Sequence, residues 1–383
     1  MTRVVITGIG ACTAVGDDSK TCFTEFVKGT QGNQPLKQLD ASKFNKPNAY
    51  EREDQGEAGK ARSSHFLIRA ITEAMEEVPE IESETVPVYV GTGLRELRTL
   101  EVSALQNEPT DVADLDFSKA VKSVLPNCGN VYTLSNACAA SNYALALAFD
   151  QIKLGRTKMA VVAGCDTLTA SMFGLLDRVN PNMPTAVQVM EKSRQGVLMG
   201  DGGVAIVLES EESAKSRQQS ILAEVNSVGL STDAVHETAP DQPGIERAIT
   251  EAFAQANIDK QDIDLIYVHG TGTELNDSVE SKALSNFYQT IERKPAISGI
   301  KAMTGHTSGA SGCIGVMSAV ESILNSVVPP TPGTSAPLDE VTDFPIYAQS
   351  HKAPIKHVQV NAFGFGGVNS VVLVSEYKES GYV

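Results

Sequence analysis

The sequence predicts an α/β protein, and two observations carry that reading. Short apolar runs bounded by Gly or Asn alternate with stretches of helical period. A chain of 383 residues is also too long for one ordinary compact core, which suits two packed halves or one large α/β unit. Val4 to Thr7, Val86 to Val90, Val131 to Leu134, Met159 to Val162 and Val204 to Leu208 read as strands. A second set follows in Ile221 to Val228, Leu265 to Val268, Val358 to Val360 and Ser370 to Val374. Apolar positions three to four apart predict helices over Ser63 to Glu77, Tyr143 to Leu154, Gly244 to Ala256 and Gly315 to Val327. The period lapses from Asn180 to Gln195 and from Pro329 to Pro345, giving two long loops of the kind that carry function in compact enzymes. Asp233 to Pro243 separates two segments of similar character, so the expected division is 1–240 and 241–383. No residue-level repeat is visible, and this order permits a structural duplication without requiring one.

Composition narrows the classes of function. A formal charge of −16 argues against nucleic-acid binding, which needs concentrated basic surface to displace counterions from phosphates. An acidic partner would have to dock on a local basic patch, for which Lys60, Arg62, Arg69, Lys119 and Lys122 are candidates, although solvated helix faces explain them as well. No apolar run approaches the 18 or so residues of a membrane span, and Met1-Thr2-Arg3 leads straight into a strand-like run with no signal-peptide pattern. The six cysteines show no CxxC pair, which indicates neither a disulfide framework nor a zinc site. The expectation is a protein of the reducing cytoplasm without a zinc site.

Four motifs carry chemistry. In Thr133 to Ser141, Cys138 stands among small residues where an extended segment turns into a helix, and a helix N-terminus favours thiolate over thiol. Small neighbours let an acyl group and backbone donors approach the sulfur. A free cysteine is also often just a small buried hydrophobe. In Val268 to Thr273, His269 ends a strand and is followed by small residues that leave its ring accessible; a structural histidine is the plainer alternative. In Ile300 to Gly312, Lys301 and His306 lie in a Gly- and Ser-rich turn ahead of a helix, a pattern equally at home in close helix packing or an anion-binding turn. In Asn361 to Asn369, glycines let backbone N–H groups point into a site while Phe363 and Phe365 supply apolar walls, or the segment is a tight hairpin with packed aromatics. It lacks the strand, Gly-rich turn and helix order of a dinucleotide fingerprint, so no nucleotide cofactor is expected.

Together, and in this order, the four motifs resemble the elongating β-ketoacyl synthases of the thiolase-like superfamily, from Val5-Ile6-Thr7-Gly8-Ile9-Gly10 to Val374. The resemblance implies a thiolase-like five-layered αβαβα fold built from two similar halves, usually as a homodimer or as a heterodimer with a second ketosynthase-like subunit. It implies that Cys138 receives an acyl chain from acyl carrier protein, that His269 and His306 hold the malonyl thioester, and that Lys301 supports His306. It further implies an oxyanion hole of the Cys138 and Phe365 N–H groups, a gating role for the Phe365 ring, substrate contacts by Thr271, Thr273, Phe363 and Val197, and structural support from Asp277 and Glu280. No metal or organic cofactor is implied.

Departures from the family pattern bear on specificity. Gly315 stands where members commonly carry a glutamate, and Val197 replaces a pocket phenylalanine, which should widen or reshape the site. The chain is also somewhat short, and 91–130 lacks the expected glycine-rich stretch. These features point to polyketide, polyene or other specialised fatty-acyl synthesis. The alternatives are a non-condensing acyltransferase that uses Cys138, or a non-catalytic chain-length partner subunit, which would lack the cysteine.

Overall fold

The computed structural model describes residues 2–379 except 53–59, 77, 79–85 and 181–183. Ten strands form one hydrogen-bonded run: β1 (Val4–Thr13), β2 (Val88–Gly91), β3 (Val131–Leu134), β4 (Met159–Asp166), β5 (Gly202–Ser210), β6 (Ala223–Thr232), β7 (Leu265–Tyr267), β8 (Ala296–Ser298), β9 (His357–Gly364) and β10 (Val368–Ser375). Their spatial order is β8-β7-β9-β10-β6-β1-β5-β4-β2-β3. Taken from each edge inward, β3-β2-β4-β5-β1 and β8-β7-β9-β10-β6 are the same five-strand unit used twice, with the same parallel and antiparallel pairings. The halves join through antiparallel β1 and β6. By topology the second unit begins at β6, so the chain divides between Ser210 and Ala223, upstream of the 240/241 boundary expected from the Pro-containing segment.

Strand periodicity explains the layers. Successive strand side chains face opposite ways. Ala160, Val162, Val204, Ile206 and Leu208 therefore enter a central core shared with Val358, Val360, Val372 and Val374 of the other half. Their neighbours Val161, Ala163, Ala205 and Val207 enter an outer core on one side, and Ile266, Val371 and Leu373 enter another on the far side. Helix α1 (Arg62–Glu76) covers the first outer face with Leu67, Ala70, Ile71 and Ala74. Helices α2 (Ala140–Lys153), α3 (Gln242–Gln255), α4 (Glu274–Tyr288) and α5 (Ser311–Asn325) are the other long layer helices, beside shorter ones such as Ser19–Lys28 and Ala170–Val179. α3 and α4 cover the other outer face, while α2 and α5 pack together inside the central core. α5 is buried almost all round, as a helix between two sheets must be. The result is the five-layered αβαβα arrangement from two similar halves.

All nine expected strands are present and β8 is an addition. α1, α2, α3 and α5 match the four expected helices within a few residues, with Glu77 outside the described residues. α4 was not foreseen, because its inward face carries Asn276, Asp277, Glu280 and Ser281 and breaks the apolar period. Among the described residues no helix is long and apolar enough to cross a membrane. The basic candidates are mostly engaged. Arg62 is buried against Asp201 at 2.6 Å, Lys60 pairs with Glu108, Arg69 with Asp17 and Lys119 with Asp114. Arg62 is thus an internal ion pair and neither a docking residue nor a solvated face.

Candidate active site

Cys138 lies on a single 3-10 turn, Ala137–Ala139, between β3 and α2. Ala137 is held at φ 48°, a left-handed conformation that costs a non-glycine residue about 1 kcal/mol or more and turns the chain sharply at the cysteine. The hairpin linking β9 to β10 closes over this turn: a Cβ on Gly364 would lie 3.2 Å from the Cys138 nitrogen, so glycine there permits the approach. Its three-residue turn, Phe365-Gly366-Gly367, uses positive φ at both glycines. The backbone N–H groups of Phe365 and of Cys138 are near enough to favour a thiolate at Sγ, and Phe365 is 52% exposed.

His269 follows β7 and His306 follows a short helix, Lys301–Thr304. Sγ of Cys138 and one ring nitrogen from each histidine all lie within 4.8 Å of one another, and the rings meet edge to face at 5.4 Å. Both loops are tied from behind. Glu280 of α4 accepts the N–H groups of His269 and Gly270 at 2.8 Å each, and Asp277 accepts those of Thr271 and Met190. Asp166, at the end of β4, accepts from Gly93, Leu94, Gly309 and the Thr92 hydroxyl, which pins the loop after His306. Asp166 drew no attention in the sequence because nothing near it forms a motif; its partners come together only in the fold.

Hydrogen bonds fix the imidazole tautomers. The Ser308 N–H donates to His306 Nδ1 at 3.2 Å, and Ser311 Oγ lies 3.0 Å from the same nitrogen. Lys301 Nζ donates to the His269 carbonyl at 2.6 Å and lies 3.4 Å from His269 Nδ1. Each Nδ1 faces a donor, so each ring carries its proton on Nε2. This corrects the expected pairing: Lys301 supports His269, and Ser308 and Ser311 hold His306.

The electrostatics also differ from expectation. Burial pushes the Cys138 thiol up to about 11, against the pull of Lys301 and the two backbone N–H groups. The thiol is protonated at rest, because loss of water around a thiolate outweighs the helix-end field. Burial, reinforced by Lys301, drives both histidines well below the ordinary imidazole range, so both are neutral. Burial brings Lys301 down to about 8, opposed by Glu280, Cys138 and Asp277.

Phe363 is buried with its ring 5.7 Å from that of His269. Val197 is half-buried in a segment tied to both histidine loops: Gly196 N–H donates to Gly272 O, and His306 N–H donates to Leu198 O. Thr273 caps α4 by accepting the Asn276 N–H, and its hydroxyl lies 2.8 Å from that of buried Thr271. Gly315 faces Val360 beside a hollow reached by Lys301.

Comparison with known proteins follows the same lines. The family profile "Beta-ketoacyl synthase, N-terminal domain" matches residues 1–214, and "Beta-ketoacyl synthase, C-terminal domain" matches 222–335. The 3-oxoacyl-[acyl-carrier-protein] synthase 2 of Staphylococcus aureus (strain COL) is 29% identical over 409 residues, covering 98% of this chain and 99% of that protein. Nodulation protein E of Rhizobium sp. (strain N33) is 28% identical, covering 97% and 98%. A structure of the ishigamide ketosynthase/chain length factor superposes with TM-score 0.89 at 28% identity, covering 98% of this chain and all of that one. A type II polyketide ketosynthase solved with its acyl-carrier protein shares the fold at TM-score 0.90 and 23% identity, covering 98% and 100%. With one profile spanning more than half its length and the second continuing from it, the chain belongs to the β-ketoacyl synthase family.

Proposed function

We propose that this chain is an elongating β-ketoacyl synthase of fatty-acid or polyketide synthesis in which Cys138, His269 and His306 are the reacting set. The observation that carries the reading is one thiol and two neutral imidazoles within 4.8 Å, each ring directing Nε2–H away from its own support. Cys138 attacks the thioester of an acyl-carrier protein; its sulfur gains the acyl group and its proton leaves with the carrier thiol. The tetrahedral oxyanion is met by the N–H groups of Cys138 and Phe365. A malonyl thioester then loses carbon dioxide, and the electron pair of the broken C–C bond becomes an enolate whose oxygen is held by the two Nε2–H donors. Its carbon attacks the acyl-cysteine carbonyl, a C–C bond forms, the C–S bond breaks, and the departing Cys138 thiolate takes a proton from water.

Two imidazole donors serve the enolate step, and simple acyl transfer would not require them; this favours condensation over a non-condensing acyltransferase. We further propose a dimer, either of this chain or with a ketosynthase-like partner. The solved relative named as a ketosynthase/chain length factor supports it. So does β3, an edge strand of the sheet that ends four residues before Cys138 and leaves Tyr132 exposed. Cytoplasmic residence follows from the thioester carriers such an enzyme uses. The test is release of labelled carbon dioxide from malonyl-carrier protein. Replacing His269 or His306 with alanine should lower it on the order of 100-fold while Cys138 still acylates; undiminished release in both variants would remove the histidines from the step.

A further inference from the structure

Behind the two histidines lies a hollow of about 20 Å³, room for one water-sized guest. Its lining includes Lys301, Thr307, Ser311, Gly315, Val360 and Asn361. It exists because α5 presents Gly315, with no side chain, toward Val360. Lys301 is 7% exposed, and its only hydrogen-bond partners among the described residues are the His269 carbonyl and ring nitrogen. No carboxylate among the described residues lies within ion-pairing distance of Nζ. A buried ammonium without a contacting counter-ion is costly. Ser311 and Thr307, whose hydroxyls are 3.1 Å apart, both line this space; because the Ser308 N–H already donates to His306 Nδ1, the single O–H of Ser311 can turn toward a guest, as can that of Thr307. The hollow is also lined by Val268, Ile300 and Ile314, so it is only partly polar, but a cation and two hydroxyls on its wall suit an anion, and room for one water-sized guest favours a small one.

We propose that the Gly315 hollow is a binding site for a small monovalent anion of halide size, held by Lys301 Nζ with the Ser311 and Thr307 hydroxyls. The anion supplies a contacting counter-charge, where Glu280 and Asp277 act on Lys301 only from beyond ion-pairing distance. It touches Lys301, which supports His269, and Ser311, which supports His306, so occupancy acts on both imidazoles at once. Occupancy depends on the Lys301 ammonium and is independent of condensing activity, so failure of one reading leaves the other testable.

Above neutral pH, Lys301 is the group here that changes charge. His269 and His306 are already neutral, burial holds Asp277 and Glu280 of α4 above the ordinary carboxylate range, and Cys138 ionises only near 11. Because the anion needs the ammonium, its affinity should fall about tenfold between about pH 7 and pH 9. The test uses crystals of the full chain grown without halide and soaked in bromide. An anomalous peak in the hollow within about 3.5 Å of Nζ is expected. It should be lost in Lys301→Met and weakened in Ser311→Ala, with calorimetric bromide affinity falling as stated with pH. Gly315→Ala, whose Cβ would sit 2.6 Å from Val360 Cγ1, should also exclude the ion if it folds. Bromide only at surface positions with water in the hollow, or affinity independent of pH, would overturn the proposal.

Discussion

Replacing Lys301 with methionine should make the protein more stable and the enzyme much poorer. Lys301 falls from the ordinary lysine value of 10.5 to about 8, and it is almost fully buried. That drop corresponds to about 3 kcal/mol by which burial of the ammonium opposes folding below pH 8. The sign follows from proton counts. Between about 8 and 10.5 the unfolded chain keeps the proton that the folded chain has released, so this group's contribution to stability rises with pH across that window. Methionine removes the charge, fills similar volume, and leaves the His269 carbonyl without its donor at a cost of about 1 kcal/mol. The net gain should be about 2 kcal/mol near pH 7, vanish at about pH 9.5, and become a loss of about 1 kcal/mol by about pH 10.5, where only the lost hydrogen bond remains. Chemical denaturation of both proteins in halide-free buffer at several pH values measures it. Decarboxylation should fall on the order of 100-fold, because His269 Nδ1 no longer faces a cation that fixes Nε2–H. A variant less stable than the parent near pH 7, or a stability gap that does not narrow with pH, would refute the reasoning.

Three further outcomes follow. Alkylation of Cys138 by iodoacetamide should be slower than that of free cysteine near pH 7 and should climb about tenfold per pH unit toward 10, since its thiolate forms only near 11; a plateau below pH 8 would contradict this. Val197→Phe should narrow the space between the two histidine loops and shorten the longest acyl chain accepted, read from product mass; an unchanged length profile would place Val197 outside the pocket. Asp166→Ala strands three backbone N–H groups and the Thr92 hydroxyl, so it should destabilise the fold by about 4 kcal/mol or more, measured by unfolding midpoint; a loss under 1 kcal/mol would contradict that accounting.

Most of the fold was legible because its strands are short, nearly continuous apolar runs bounded by Gly or Asn, as they must be where the two faces of β4, β5, β9 and β10 enter different cores. The four motifs were legible for a similar reason: each places its reacting group within a few residues of the glycines or small residues that expose it. What escaped was held by long-range polar contact. α4 turns Asp277 and Glu280 inward to grip the His269 loop, so its apolar period is weak although its position is essential. Asp166 joins segments 74 and 143 residues away in sequence. Lys301, five residues before His306, was expected to serve its neighbour, but the short helix Lys301–Thr304 turns Nζ toward His269 instead. The Cys138 thiol went astray because a helix end is visible in a sequence and the loss of surrounding water is not.

The most direct test of the central claim is a single-turnover experiment with acyl-carrier protein followed by malonyl-carrier protein, read by intact mass of both proteins. The account predicts an acyl adduct on Cys138 that disappears only when the malonyl carrier is added, as the carrier gains a β-ketoacyl group and carbon dioxide is released. Absence of any adduct on Cys138 would contradict its role as nucleophile. An adduct that persists beside malonyl carrier, with any partner chain supplied, would contradict condensation.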